Sequence, residues 1–326
     1  MKIIKPFLSV VIPVHNSGST LSQCLSALER SRYRNYEIIV VDDGSKDDSI
    51  NIAKGYTNKL LKLENNTGRL IARRKGENYA KGEIILNIDS DVVIFPKTLE
   101  IIDNYFKKNR NIAAITGLLS KKNPYKNFSS QYKNLYMHFH FMKLPLKVNF
   151  LYGSIYAFRK KYKKYFSLGG LVKVADDTES GQRLQNRNLK IVFLKDLEVI
   201  HLKQYFLLGL VKNDFRIPFD WAHIFWKYQG WKQLGRQGTG FAHASKEQLV
   251  SLLVAPAIVV SLFVNMSIFT VLLMLWVVLN WRFHWFLYQE RGLWFATRAI
   301  IFTFFDDLIM LAGIICGTGA YFKKLV

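Results

Sequence analysis

Cysteine is nearly absent from this chain: Cys24 and Cys316 are the two among 326 residues. That excludes a disulfide framework and any multi-cysteine zinc site, and it suits a reducing cytoplasm. Acidic residues are scarce as well. Twenty-four Asp plus Glu stand against 46 Lys plus Arg, for a net charge of +22. With half of the residues hydrophobic and 21% charged, a wholly disordered chain is excluded. The charge balance suits a polyanionic partner: nucleic acid, nucleotide phosphates or an anionic membrane surface.

The scarcity is uneven. Residues 249–326 hold five basic and three acidic residues, which leaves 41 basic and 21 acidic, net +20, on residues 1–248. Between 249 and 279 there is no charge over 31 positions. One membrane-spanning helix needs about 20 residues. The run therefore predicts one long tilted span, or a tight hairpin broken near Pro256 or Asn265-Met266-Ser267. Trp276, Trp281 and Trp285 are expected at a membrane interface. A second apolar stretch, 295–322, is interrupted by Arg298 and Asp306-Asp307, which predicts a shallow or re-entrant helix. Lys323-Lys324 at its end favours the cytoplasmic side. From Lys121 to Gly170 there are 11 Lys or Arg and no Asp or Glu, with aromatics interleaved (YKNLYMHFHFMKLPLK). This pattern and the segment 203–231 read as membrane-interfacial, and no nucleic-acid-binding motif accompanies them.

At the N-terminus, Lys2 and Lys5 precede FLSVVIPV, much as in a signal peptide. The apolar run is short and ends at His15-Asn16-Ser17-Gly18 without a small-residue cleavage site, so it reads as a buried strand. A helix follows, with Ser19 or Thr20 as its cap and Leu21, Cys24, Leu25 and Leu28 on one face. Strands at 38–41, 59–63, 83–88 and 112–116 alternate with helices at 47–56, 69–81 and 97–108. Such alternation predicts an α/β domain with a mainly parallel sheet covered by helices on both faces. Ligands bind beyond the carboxyl ends of such strands. His15-Asn16, Asp42-Asp43 and Asp89-Ser90-Asp91 all fall there.

Two carboxylates one residue apart on a turn after a buried strand can bind Mg²⁺ or Mn²⁺ beside diphosphate oxygens. Asp42-Asp43 either accepts hydrogen bonds from a base or ribose or serves as a turn and cap. Arg69, Arg73 and Arg74, behind Asn66-Thr67-Gly68, form either a solvated face or a fork for diphosphate. Asp176-Asp177-Thr178-Glu179 opens a helix, where acids favour the positive end of the dipole. Three acids in four residues after so poor a stretch also suggest a catalytic base. His201 ends a strand downstream and is able to complete a metal shell.

Together these segments resemble the family-2 inverting glycosyltransferases of GT-A fold. SVVIPVHNSGSTLSQCLSAL is similar to the family's opening strand and helix, and IIVVDDGSKDDS to its nucleotide-binding turn. NTGRLIARRKGENYAKGEIILNIDSDV resembles the segment ending in the metal-binding DxD. GSIYAFRK and DDTE resemble the acceptor side and the base motif, with Asp176 where Glu is usual. The resemblance covers roughly residues 7–201; NWRFHWFLYQERGLWFA more loosely resembles members with C-terminal membrane helices.

The resemblance implies a GT-A domain over 1–202, interfacial amphipathic helices over 203–248 and membrane-embedded helices over 249–326. It implies donor contacts from Pro13, His15, Asn16, Asp43, Arg73 and Asp89. Asp91, with Asp89 and His201, would hold Mg²⁺ or Mn²⁺; Gly153, Ser154 and Asp176 would lie on the acceptor side. Asp177 would be the base. The implied reaction moves one sugar from a nucleotide-diphosphate sugar to a hydroxyl of a lipid-linked or glycolipid acceptor. It would proceed at the cell membrane, with the catalytic domain on the cytoplasmic face. The chain lacks the QxxRW motif of processive synthases, and its tail is expected to be too short for a translocating channel. Two rivals share the fold: a polyprenyl-phosphate glycosyltransferase, which would hardly need a base, and a non-catalytic membrane scaffold.

Overall fold

The structure, a computed structural model, describes residues 7–166, 172, 174–232 and 244–323. In chain order its elements are β1 (Leu8–Val14), α1 (Gly18–Glu29), β2 (Tyr36–Asp43), α2 (Ser49–Lys54), β3 (Leu60–Leu63) and α3 (Arg69–Tyr79). Next come β4 (Ile84–Ile88), β5 (Val92–Ile94), α4 (Thr98–Lys108), β6 (Ile112–Leu119), α5 (Phe128–Met142) and β7 (Lys147–Val148). β8 (Ile155–Arg159), α6 (Asp176–Gln185), β9 (Lys190–His201), α7 (Leu207–Lys227), α8 (Lys246–Val264) and α9 (Met266–Lys323) complete the series. Two compact units emerge. One comprises Met1–Pro124, Leu146–Gly170 and Asp176–Lys203; the other comprises Tyr125–Pro145, Leu171–Ala175 and Gln204–Val326. The helical unit thus takes in Tyr125–Pro145, which the sequence reading left in the first domain.

The first unit is an α/β domain on one sheet of order β3-β2-β1-β4-β8-β6-β9-β5, with β7 also on β9. β3, β2, β1 and β4 pair in parallel, as the alternation predicts. The other half is mixed: β8 runs antiparallel between β4 and β6, and β5 and β7 pair antiparallel to β9. Every residue of β1 and β4 is buried, as continuous apolar strands covered on both faces must be. The chain runs outward from β1 to β2 and β3, then returns to the far side of β1 as β4. That reversal opens a crevice at the carboxyl ends of β1 and β4. Pro13 lies past the last residue of β1 paired to β4, Val11 opposite Asn87, so on that side its missing N–H costs no ladder bond.

The cap of α1 differs from the expectation. Ser19 and Thr20 lie inside the helix, which starts at Gly18 after a Ser17 that makes no side-chain cap. Asp47, from the loop after β2, accepts the Gly18 N–H at 2.8 Å and, with its other oxygen, the Ser49 N–H at 3.1 Å. One carboxylate therefore serves the starts of two helices, and a charged acceptor at a helix N-terminus outcompetes a local hydroxyl.

In the helical unit the aromatics of α5 are mostly buried instead of lying at a membrane surface. The Tyr132 ring packs on Phe302 and Phe283 of α9 at 4.7 and 5.9 Å, and Tyr136 on Phe283 at 5.5 Å. α8 and α9 form a hairpin that breaks at Asn265, whose side-chain oxygen caps the next turn through Ser267 N–H and Ile268 N–H. Pro256 lies within α8 and does not end it. A backbone kink at Gly292 (φ 80°) divides α9. Trp276, expected at an interface, is only 2% exposed and donates to Asp307 at 2.8 Å; Trp281 is 57% exposed. Asp307 also accepts from Ser251 at 2.6 Å. Hydrogen bonds within the unit therefore compensate a carboxylate that the sequence reading took as a sign of shallowness. Gly313 and Gly317 sit where any Cβ would collide with the carbonyls of Phe215 and Phe219, so their small size lets α9 press against α7.

Candidate active site

The ends of β1 and β2 are tied together by the polar residues that follow them. His15 Nδ1 lies 2.8 Å from the Asp43 carbonyl, and its Nε2 lies 3.3 Å from Asn16 Nδ2. These contacts fit an imidazole that donates from Nδ1 and accepts at Nε2. Asn16 adopts a left-handed conformation (φ 49°), accepts the Lys46 N–H at 2.8 Å and receives its own backbone support from Ser45. Asp43 is buried, and both its oxygens face the start of α3. They accept Thr67 N–H (2.8 Å), Thr67 Oγ1 (2.7 Å) and Gly68 N–H (2.8 Å). The carboxylate is thereby a remote N-cap, which braces the turn leading to the arginines.

α3 presents Arg69 and Arg73 four residues apart, hence on one face. Arg73 is 1% exposed. It reaches Asp89 at 2.5 Å, the Gly153 carbonyl at 2.7 Å and Asp176 at 3.5 Å, and its guanidinium carbon stands 5.5 Å from the centre of the Tyr156 ring. Arg69 holds Asp176 at 2.6 Å and stands 3.8 Å from Asp89. Two arginines thus bridge two carboxylates. Arg73, expected at the donor phosphates, is committed to that lattice, and Arg69 is the more exposed of the two. The sequence offers Arg69, Arg73 and Arg74 together as a diphosphate fork, and the family resemblance alone picks out Arg73; the i, i+4 spacing is the signal that sets Arg69 beside it. Arg74 turns away to Glu77 and the Lys163 carbonyl, both at 3.0 Å.

Asp176 and Asp177 open α6 but have opposite surroundings. Burial works against the charge of Asp176, yet Arg69 and Arg73 overcome it and hold this carboxyl below its ordinary range. Asp177 is pushed up to about 6, chiefly by burial and then by the neighbouring Asp176 charge. It accepts N–H groups from Gly153 at 2.5 Å and Thr178 at 2.7 Å. A Cβ at Gly153 would lie 2.7 Å from Asp177 Oδ2, so the glycine lets the peptide approach the carboxylate. Its N–H serves Asp177 while its C=O serves Arg73. Ser154, beside it, is buried. Glu179, the third acid, pairs with Arg183 at 2.6 Å along the same helix.

Across the sheet, β5 pairs with β9 so that Val92 stands opposite His201. This register brings Asp91 Oδ2 to 3.3 Å from His201 Nε2, and Leu202 N–H donates to the Asp91 carbonyl at 2.7 Å. Burial opposes the Asp91 charge, but His201 and Lys203 together hold its carboxyl low. Among the described residues no three His, Cys, Asp or Glu side chains converge as a ready metal cluster. Asp89 is drawn to Arg73, which leaves Asp91 and His201 as the adjoining donor pair. One carboxylate oxygen and one imidazole nitrogen fit a divalent ion whose remaining positions are filled by diphosphate oxygens and water.

Comparisons with known proteins bear on the family and the fold. Residues 9–166 match the family described as Glycosyl transferase family 2. Glycosyltransferase GlyG of Streptococcus pneumoniae serotype 4 is 36% identical over 100 residues, 29% of this chain and 33% of that protein. The poly(ribitol-phosphate) beta-glucosyltransferase of Bacillus spizizenii is 37% identical over 112 residues, 32% of this chain and 18% of that protein. The chain thus spans a third or less of the length of these relatives. Among solved structures, the mannosyltransferase PcManGT of Pyrobaculum calidifontis, in complex with GDP-Man and Mn²⁺, superposes with a TM-score of 0.58. Its identity is 14%, over 99% of this chain and 88% of that one. S. aureus TarS in complex with UDP-GlcNAc gives 0.52 at 17% identity, over 97% and 92% of the two chains. At these identities the superpositions show the GT-A-like fold.

Proposed function

Because residues 9–166 form a glycosyl transferase family 2 domain, we propose that this protein is an inverting glycosyltransferase. It transfers one sugar from a nucleotide-diphosphate sugar to a hydroxyl group of a lipid-linked or glycolipid acceptor at the membrane. The observation that carries the reading is Asp177: a carboxylate raised to about 6, held by two backbone N–H groups beside an arginine-neutralised twin. A base that strong can take a proton from a hydroxyl and is still ionised at neutral pH. A phosphate acceptor would not need it, which favours a hydroxyl acceptor over polyprenyl phosphate.

In the proposed reaction Asp177 removes the acceptor proton as the hydroxyl oxygen attacks the anomeric carbon. The bond from that carbon to the diphosphate breaks on the opposite face, so the configuration inverts in one step. Arg69 offers its exposed guanidinium to the departing diphosphate, while Arg73 holds Asp89, Asp176 and the Gly153 peptide in register. Pro13, His15, Asn16 and Asp43 line the donor side. Mg²⁺ or Mn²⁺ held by Asp91 and His201 would neutralise charge on the leaving diphosphate. The complexed donors of the solved neighbours, GDP-Man with Mn²⁺ and UDP-GlcNAc, support a nucleotide sugar as partner.

Membrane attachment is supported by α8 and α9, the two described helices long and apolar enough to cross a bilayer. They expose Leu253, Val260, Phe263, Val271, Met274 and Val278, and exposed apolar residues gathered on one hairpin are of the kind that mark a membrane or partner contact. The 19 residues of α8 rise about 28 Å, close to the roughly 30 Å of a hydrocarbon core. The hairpin tip at Asn265 is uncharged, whereas its open end carries Lys246, Arg282 and Arg291. That bias supports a cytoplasmic open end; of the Lys323-Lys324 pair expected to mark the same side, Lys323 ends α9 and Lys324 lies outside the described residues.

The protein in detergent, given Mn²⁺ and a panel of nucleotide sugars, is expected to release nucleoside diphosphate from one donor, faster with membrane lipid extract. Release from no donor by folded protein in the presence of lipid would remove the proposal. A pH series carries a second expectation. Asp177 acts only when deprotonated, so kcat/KM should fall about tenfold per pH unit below about 6. A profile flat to pH 4.5 would rule out Asp177 as the titrating base.

A further inference from the structure

The chain passes from the helical unit to the α/β unit at the peptide bond between Ala175 and Asp176, immediately before the proposed base. Asp176 and Asp177 open α6 on one side of that bond. On the other side, Val172, Val174 and Ala175 belong to the helical unit, where α7 holds them in two ways. Asp220 Oδ2 accepts the Val174 N–H at 2.8 Å and the Ala175 N–H at 3.2 Å. Val172 and Ala175 are buried in a cluster with Ile224, and Trp221, Phe225 and Tyr228 pack against it. Asp220 and Ile224 stand four residues apart, so the polar and the apolar seat share one face of α7.

Asp220 does nothing for the helix that carries it. Aspartate is a poor choice for a helix interior, and a carboxylate only 6% exposed needs donors. Val174 and Ala175 supply two charge-assisted hydrogen bonds. Ala175, the residue just before α6, has no side-chain oxygen with which to cap that helix. The backbone leading into Asp176 is thus held from α7 instead of by a local cap.

We propose that Asp220 is a positioning residue for the base: by holding Val174 and Ala175 it fixes where α6 begins, and with it where Asp177 meets the acceptor hydroxyl. The role rests on Asp177 being the base, as proposed above. Asp220 itself touches no reacting atom and acts through the chain. The helical unit thereby governs transfer in addition to any part it has in membrane attachment. A misplacement of about 1 Å is enough to slow a reaction roughly 10²-fold.

The test compares Asp220→Ala, Asp220→Asn and Ile224→Ala with wild type, each as the full chain in detergent. Asparagine keeps an oxygen that can accept both N–H groups; alanine keeps none. Asp220→Ala is expected to lower kcat for nucleoside diphosphate release by about 10- to 100-fold. Its affinity for the donor, measured by titration, should stay within about threefold, because the loss falls on the chemical step. Asp220→Asn should recover most of the rate, and Ile224→Ala should lie between the two. A second readout needs no turnover. Backbone amide exchange over residues 172–177 should quicken at least about tenfold in Asp220→Ala and stay near the wild-type rate in Asp220→Asn. Should Asp220→Ala fail to fold, Ile224→Ala carries the same two measurements. Full transfer by folded Asp220→Ala, an equal loss in Asp220→Asn, or unchanged exchange would overturn the proposal. Exchange as expected without transfer from any donor by wild type would remove the function proposed above and leave the hold on the chain standing; transfer with unchanged exchange would do the opposite.

Discussion

Asp177→Asn is expected to lower sugar transfer by about 10²- to 10⁴-fold, the usual worth of a positioned general base, while the protein stays folded. Asparagine keeps an oxygen that can accept the Gly153 or Thr178 N–H, so the start of α6 retains much of its present support. What it loses is the ability to take a proton. Donor affinity, read by titrating the nucleotide sugar into the variant, should change little, because the loss falls on the chemical step. Stability supplies an independent check. The folded protein binds the Asp177 proton more tightly than the unfolded chain does, with a carboxyl at about 6 against an ordinary value near 3.9. That contribution is complete below the ordinary value and is lost as pH rises through about 6. At pH 7.5 the ionised side chain is therefore a net cost, and the variant should melt at the same temperature or higher. At pH 4 the advantage should disappear. Near-full transfer by the variant would rule out Asp177 as the base.

Arg73→Met should have the largest effect on stability, about 3–5 kcal/mol, the usual consequence of removing one member of a buried ion pair. Methionine fills much of the space, but Asp89 would lose its 2.5 Å contact and the Gly153 carbonyl its 2.7 Å donor. Asp176 would retain only Arg69. Arg73→Lys should recover part of the loss, since one ammonium cannot span three acceptors that a planar fork reaches together. Denaturant titration of wild type and both variants measures the order. A loss below about 1 kcal/mol in Arg73→Met would show that the lattice does not depend on this residue. Transfer should fail in Arg73→Met as well, because the Gly153 peptide bridges Arg73 to Asp177.

Much of the α/β unit was legible in the sequence because its signals are local. Continuous apolar strands, the helix period of Leu21, Cys24, Leu25 and Leu28, and acidic clusters at strand ends are properties of a few consecutive residues. They sufficed for the alternation, the crevice at the carboxyl edge and the residues around it. The hairpin break was already among the alternatives, since a polar Asn-Met-Ser between apolar runs has a clear physical meaning. The α1 cap was not legible: Asp47 reaches Gly18 across 29 positions, and no local pattern distinguishes it from Ser19. The aromatics of 128–142 were misread for a related reason. Composition cannot tell a ring that faces a bilayer from one that packs on α9.

By itself the sequence determined the alternation of β1 to β4 with their helices, the acidic clusters at the strand ends and the apolar character of the C-terminal helices, because periodicity and composition act within one turn or one strand; β5, β7 and β8, short or without a distinct pattern, came only from the fold. Tertiary structure alone decided how those groups are paired. Asp176 and Asp177 are identical and adjacent, yet Arg69 and Arg73 neutralise the first while burial raises the second toward a base. Asp89 goes to Arg73, and Asp91 goes to His201 through the β5–β9 register. Electrostatic interactions fall off within a few ångströms and depend on what excludes water, so partners far apart in the chain set each carboxylate's charge and role.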